Sequence, residues 1–430
     1  MTRTFHPLAG YQRRVVDDEL DELLTGLSAV GLEGPKGVGK TATAQLRAHT
    51  TFRLDDPAEL DVVRGDPTRL LGGPEPILVD EWQVYPPSWD LVRRAVDDDP
   101  APARFLLTGS ASPTGEPTHS GAARIVPVRM RPLALVERGI PSSVSLRELM
   151  SGRRPQVEGS TDIALEDYVS EILAGGFPAL RGLPGRALRA QLDGYLERVI
   201  DRDFPEQGLA VRHPQTLRGW MRAYAAATAT TASFEVIRDA ATPGVGNKPA
   251  KTTAIPYRDI LSRLWLLDPV PAWLPVNNAL KELGSAEKHH LADPALAARL
   301  LGVTADRLLA GGAAGPAVPR DGTLLGALFE SLVGLNLRVY AQAAEAGVRH
   351  MRTHRGEHEV DFIVTTSDGG VVAVEAKLSA TVDERDLAHL KWLRSVLGDD
   401  VRDLVLVNTG RDAYRRPDGI AVVPAALLGP

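Results

Sequence analysis

The segment Gly34-Pro35-Lys36-Gly37-Val38-Gly39-Lys40-Thr41 fits G-x-x-x-x-G-K-[ST] and constrains this chain more than any other stretch. The apolar run Ala29-Val30-Gly31-Leu32 before it predicts a buried strand, and Thr41 to Ala48 predicts a helix. The glycines therefore fall at a strand-to-helix turn, where a backbone free of Cβ atoms wraps closely around phosphate oxygens. Free N–H groups at the helix N-terminus and the mobile ammonium of Lys40 complete an anion cradle. The Thr41 hydroxyl suits Mg2+. Every position from Gly34 to Thr41 is thus a candidate contact for a nucleotide, with ATP and Mg2+ the expected pair.

Composition narrows the remaining choices. With 43% hydrophobic residues, 430 residues are enough for two or three domains with ordinary cores. The net charge of -6 argues against a wholly basic nucleic-acid coat, although it permits a local basic groove. The absence of cysteine excludes disulfides, zinc-thiolate sites and thiol catalysis. No signal-peptide core and no apolar run of about 18 residues stand out, so the expectation is a cytoplasmic protein without a membrane partner. Arginine dominates the basic residues, which makes the few lysines at motif positions informative.

Residues 14–26 carry helical spacing, and Thr51 to Leu54 predict a second strand. In Ile77-Leu78-Val79-Asp80-Glu81 an apolar run ends in two acids. At the end of a parallel strand beside the phosphate loop, Asp80 would orient water on Mg2+ and Glu81 would polarise the attacking water. A helix is expected from Pro87 to Val96, then a strand from Arg104 to Ser110, where Thr108 or Ser110 offers a hydroxyl to the γ-phosphate. Arg124, Arg129 and Arg131 accompany a further strand. They read as solvated arginines or as guanidiniums reaching a neighbouring subunit's phosphate.

This order of motifs, with Leu107-Thr108-Gly109-Ser110 and Met130-Arg131-Pro132-Leu133, resembles AAA-type ATPases of bacteria and archaea that carry a C-terminal domain of unknown function. Gly175-Gly176-Phe177-Pro178 and Arg202-Asp203-Phe204-Pro205 resemble further signatures of that family. The resemblance implies an ATP-dependent switch or motor.

A proline- and glycine-rich break at residues 139–162 precedes amphipathic stretches at 165–173 and 186–201, expected as a lid over the nucleotide. Three helices and short strands between Pro214 and Trp273 resemble a winged helix-turn-helix, with Lys251, Tyr257, Arg258 and Arg263 on its recognition helix. Nearby acids temper that basic stripe, so a packing or protein-contact role stands beside DNA reading. Residues 310–322 read as a linker.

The final third contains Glu330 on an expected helix, Asp361 on a strand, and Glu375-Ala376-Lys377 on the next. This spacing resembles the core of the PD-(D/E)xK nuclease superfamily. Residues two apart on a strand share a side, so Glu375 and Lys377 would face one site. Asp361, Glu375 and Glu330 would hold Mg2+, and Lys377 would activate water. His350, His354 and His358 are expected as surface or nucleic-acid contacts.

The resulting expectation is an α/β chain of four parts. These are an AAA-like P-loop core (1–140), a helical lid and linker (141–210), a winged-helix-like part (211–310) and a restriction-endonuclease-like part (320–430). The catalytic candidates are Lys40, Asp80, Glu81, Asp361, Glu375 and Lys377. Metal candidates are Thr41, Asp80, Glu330, Asp361 and Glu375, with Thr108 at the nucleotide. The function expected is a Mg2+-dependent ATPase controlling a nuclease-like, DNA-acting module. Two alternatives stand: a signalling or scaffold NTPase whose inactive nuclease-like module binds a protein partner, and a winged-helix DNA-binding regulator. A homo-oligomer is compatible with each.

Overall fold

The computed structural model describes residues 10–110, 122–241, 251–274, 285–310, 321–353 and 356–430. Five strands near the N-terminus are β1 (Ala29–Glu33), β2 (Thr50–Arg53), β3 (Ile77–Asp80), β4 (Phe105–Gly109) and β5 (Ile125–Arg129). They form an all-parallel sheet in the order β2-β3-β4-β1-β5. β3 and β4 are buried along their whole length, as expected for strands covered by crossover helices on both faces. The phosphate-loop helix (Lys40–Gln45) and the helix Pro87–Asp98 begin close to where the sequence places them.

The stretch 139–162 contributes β6 (Val144–Ser145) and β7 (Glu158–Ser160), and both pair with strands from the far end of the chain. The remaining strands are β8 (Ala272–Trp273), β9 (Gly347–Arg352), β10 (Glu359–Thr365), β11 (Val371–Ala376), β12 (Val401–Asn408), β13 (Asp412–Arg415), β14 (Ala421–Pro424) and β15 (Leu428–Gly429). An eight-stranded sheet runs β7-β13-β14-β12-β11-β10-β9-β8, and β6 pairs with β15. Thus segments expected to be a linker and part of a wing form the two edge strands of the C-terminal sheet. Edge strands of only three and two residues leave few unpaired backbone groups exposed.

Helices at Pro214–Ala226, Phe234–Ala240 and Lys251–Arg263 match the expected middle order. The long helix Asp321–Ala343 runs through the molecule, and its residues 324–343 are long and apolar enough, by length and composition, to cross a membrane. That stretch is 72% buried inside the protein, with Leu328, Leu332 and Leu337 wholly enclosed, so its apolar character is accounted for by the core. Most of the linker expected at 310–322 lies outside the described residues.

Arg129 and Arg131, at the end of β5, meet Asp268 from the middle part and Arg338 from the long helix. Arg131 Nε donates to Asp268 Oδ2 at 2.9 Å, Arg338 Nη1 lies 3.1 Å from that oxygen, and Arg129 Nη2 lies 3.4 Å from Oδ1. Asp268 is buried. Burial alone would push its carboxyl up, but the three guanidiniums hold it far below the usual carboxylate range. The expectation of solvated or trans-acting arginines therefore gives way at Arg129 and Arg131, because an internal carboxylate claims both; Arg124 is exposed and pairs with Asp97 at 2.7 Å.

Removing one partner of a buried charge group leaves the others uncompensated. Asp268→Ala is expected to destabilise the full chain by about 3–5 kcal/mol in chemical denaturation. A loss within about 0.5 kcal/mol, typical of surface substitutions, would show that the cluster contributes little.

Candidate functional site

At the phosphate loop the backbone runs so close to its neighbours that side chains are excluded. Gly34 has φ +152, and a Cβ there would lie 2.1 Å from the Met130 carbonyl oxygen; Gly39, at φ +100, starts the helix. Arg14 braces the loop from behind, donating from Nη1 to the Val38 carbonyl at 2.7 Å and from Nε to the buried Glu137 at 2.9 Å. Lys40 Nζ folds over the loop and donates to the carbonyls of Gly34 and Pro35, at 2.8 Å each. Burial pushes the Lys40 ammonium down to about 8, against the opposing pull of Glu81 and Asp80. An ammonium held only by two carbonyl dipoles in a buried loop is matched to an incoming polyphosphate, which would offset that desolvation.

Thr41 Oγ1 donates to Asp80 Oδ1 at 2.8 Å, and the Thr108 hydroxyl donates to the same oxygen. Asp80 does not sit on the strand next to β1, because β4 is inserted between β1 and β3. The register explains the contact: Leu32 pairs with Thr108, and Thr108 pairs with Asp80, so the three strand ends lie level. Ligands of open parallel sheets bind at such carboxyl ends. Glu81 follows at φ +53 and accepts from Ser110 Oγ at 2.9 Å and from the Gln83 amide. Both hydroxyls expected as γ-phosphate sensors thus hydrogen-bond to the two acids.

A cavity of about 760 Å³ opens beside the loop, lined by Lys36, Glu81, Ser110, Arg198, Arg202 and Glu206 among others. Its far wall comes from the helix Gly185–Arg198 and the turn of π-helix Val199–Asp203 that continues it. Such turns are frequent at functional sites. Lys36 bridges the gap, its Nζ 2.6 Å from Asp203 Oδ1 and 3.5 Å from Glu206 Oε2, while the Tyr195 hydroxyl donates to the Lys36 carbonyl at 3.3 Å. These contacts from residues 195–206 escaped motif reading, although Arg202-Asp203 stood out as a signature. Gly176 lies against Leu133, whose N–H donates to the Gly176 carbonyl at 2.7 Å, fixing it to the segment after β5.

A phosphate loop, an acid pair and level strand ends form one site. Residues 28–138 match an AAA domain. This part of the chain is therefore AAA-like. Residues 165–307 and 325–428 match two families described only as domains of unknown function, DUF8612 and DUF4143. Two curated relatives are uncharacterized proteins of Mycobacterium bovis and Mycobacterium tuberculosis, each 27% identical over 423 residues, covering 96% of this chain and 84% of the relative. Among solved structures, the Walker-type ATPase of Pyrococcus abyssi is similar with a TM-score of 0.39 and 16% identity, over 70% of this chain and 99% of that one. A Thermotoga maritima RuvB structure gives a TM-score of 0.26 and 17% identity, over 63% and 94%.

The C-terminal candidates form a second, separate cluster on the eight-stranded sheet. β10 and β11 pair antiparallel with Phe362 opposite Val374, and the next pair outward in that register is Asp361 and Glu375. A register shift between Val360 and Ile363 marks a bulge containing Asp361. Val360 and Ile363 both pack with Leu387, Leu390 and Leu393, whereas Phe362 packs on the side of the long helix, where a Cβ on Gly334 would meet its ring at 2.8 Å. Bulges of this kind re-aim a side chain. Asp361 Oδ2 accepts from the Ala376 N–H at 3.0 Å, and Lys377 Nζ lies 2.7 Å from Glu375 Oε1.

Lys288, which motif reading missed, enters this cluster. Its Nζ lies 2.9 Å from Glu330 Oε1, 3.0 Å from Asp361 Oδ1 and 3.2 Å from Glu359 Oε1. Burial, and then the Asp361 charge, push Glu330 and Glu375 each up to about 8. Among the described residues no three His, Asp or Glu side chains stand in an arrangement that holds a metal ion.

Two other expectations change. On the helix Lys251–Arg263, Tyr257 is buried with its ring centroid 6.0 Å from that of Phe204, and Arg258 pairs with Asp259 at 3.0 Å and lies over Phe234. The aromatic of the expected DNA face thus belongs to the core. His350 is not a surface contact either, being 1% exposed with its Nε2 3.0 Å from the Ala286 carbonyl, while His358 stacks on Trp392; His354 lies outside the described residues.

Burial, with Lys288 nearby, pushes His350 down to about 4. The unfolded chain therefore binds more protons than the folded chain between about pH 6.5 and 4, and stability present above that window is lost as pH falls through it. His350→Gln should reduce the drop in melting temperature between pH 7 and 4.5. An unchanged drop would assign the acid sensitivity to other groups.

Proposed function

We propose that this protein binds ATP with Mg2+, hydrolyses it, and uses the nucleotide state to control its C-terminal, nuclease-like part. The observation that carries this reading is the bonded set Thr41–Asp80–Thr108 beside a Lys40 held only by loop carbonyls. Lys40 would exchange those carbonyls for phosphate oxygens. Thr41 and Asp80, already in contact, are the residues that would hold Mg2+ and its water, and the close approach of Gly34 leaves backbone to wrap the phosphates. Bound Mg2+ supplies neutralisation of charge on the phosphate oxygens. Glu81 accepts the proton of the attacking water, and its hydrogen bonds to Gln83 and Ser110 orient it. Thr108 and Ser110 gain or lose these bonds according to whether a γ-phosphate is present.

The nuclease-like reading of the C-terminal part is supported by the hairpin that brings Asp361 and Glu375 to neighbouring positions, with Lys377 beside Glu375. A second reading, an NTPase with an inactive nuclease-like part that binds a protein, draws support from the Lys288 ammonium lying among Glu330, Glu359 and Asp361. DNA binding by a winged-helix middle is supported by helix order alone.

Lys40→Ala is expected to abolish Mg-ATP binding in calorimetry, whereas Glu81→Gln should keep binding and lower turnover by about 10²-fold or more. Equal affinity without Lys40 would end the nucleotide assignment. For the C-terminal part, oligonucleotide cleavage with Mg2+ or Mn2+ that disappears in both Lys377→Ala and Asp361→Ala supports a nuclease. No cleavage, or cleavage that survives both changes, favours the binding role.

A further inference from the structure

Lys288 is one of only eight lysines in the chain, and its side chain is 1% exposed. An ammonium has three N–H donors, and here three carboxylates surround it, at 2.9 Å (Glu330), 3.0 Å (Asp361) and 3.2 Å (Glu359). Arg352 Nε lies 3.7 Å from the other Glu359 oxygen. A buried lysine that donates to Glu330 and Asp361 and lies beside Glu359 fills the position of a coordinated cation.

The acids have capacity left over. Glu375 is buried beside them, and its Oε2 has no hydrogen-bond partner. The backbone joins the two halves of the cluster, because the Ala376 N–H donates to Asp361 Oδ2. The ammonium offers these acids a single positive charge, whereas a divalent ion would offer two and would favour the ionised form of Glu330 and Glu375. The present separations, however, are those of hydrogen bonds to nitrogen, whereas Mg2+ requires oxygens at about 2.0–2.1 Å.

The backbone of Lys288 is clamped by reciprocal bonds with Val270, at 2.8 and 2.9 Å. Val270 lies two residues after Asp268, the carboxylate that Arg129 and Arg131 hold at the end of β5. The lysine is therefore placed by the middle part of the chain, through the segment that continues into β8 at the edge of the sheet carrying Asp361 and Glu375.

We propose that Lys288 is a built-in cation that occupies the acidic cluster of the C-terminal sheet and closes it to divalent metal. Withdrawing the lysine would let Glu330, Asp361 and Glu375 gather around a divalent ion. This inference rests on the cluster's geometry in the nucleotide-free chain, and any metal-dependent cleavage by this part would first require the lysine to withdraw.

The test is Mn2+ binding to the nucleotide-free full chain, counted from loss of the free-ion electron paramagnetic resonance signal. Wild type is expected to bind no Mn2+ that Asp361→Asn removes. Lys288→Met should gain one Mn2+ per chain, at least tenfold tighter than any wild-type site, and should lose it again when combined with Asp361→Asn. Its melting temperature should also rise with Mn2+ more than that of wild type. Should Lys288→Met not fold, Lys288→Gln, which keeps a hydrogen-bond donor, serves in the same comparison. Asp361-dependent Mn2+ binding by wild type would overturn the proposal, and so would a folded Lys288 variant that gains no ion.

Discussion

Asp268 is the carboxylate on which the arrangement of this molecule turns. It is buried, and guanidiniums from β5 and from the long helix converge on it. Buried ion groups add little stability relative to apolar packing, because desolvation offsets most of the attraction. Their effect here is on geometry: an apolar junction tolerates sliding, while one carboxylate with three guanidiniums is satisfied in a single arrangement. Gln342 reinforces the register, donating to Glu19 at 2.8 Å and to the Arg129 carbonyl at 2.9 Å.

That junction lies next to both clusters of chemical interest. On one side, Met130 follows Arg129 directly, and its carbonyl limits the space at Gly34. On the other, Val270 clamps Lys288 among the C-terminal acids. Adjacency of this kind is not itself coupling, which requires an element with two arrangements that both sites bias. The antiparallel segments 268–270 and 288–290 touch the β5 arginines at one end and the acidic cluster at the other.

How much was legible before folding differs between the two sites. The placement of Asp80, Glu81 and Thr108 beside the phosphate loop was readable because strand ends are visible as apolar runs that stop. The insertion of β4 between β1 and β3 was not readable, because strand order depends on which crossovers pack. The proximity of Asp361, Glu375 and Lys377 was likewise legible from local spacing. Their neighbour Lys288 was not, as it lies 73 residues before Asp361 and belongs to no local pattern. The three arginines of β5 and the long helix carried no sign of a shared partner for the same reason.

The sequence by itself determined the local chemistry of this protein: a glycine-rich loop can only turn tightly, a lysine and a threonine follow it, and acids end buried strands. Tertiary structure alone decided which of those groups are free. It folded Lys40 back onto carbonyls, took Tyr257 and His350 into the core, and surrounded Lys288 with acids drawn from a helix and a strand. Spacing along a chain fixes what a residue can do within a few positions, whereas the state of a buried charge is set by partners that only packing brings within hydrogen-bonding distance.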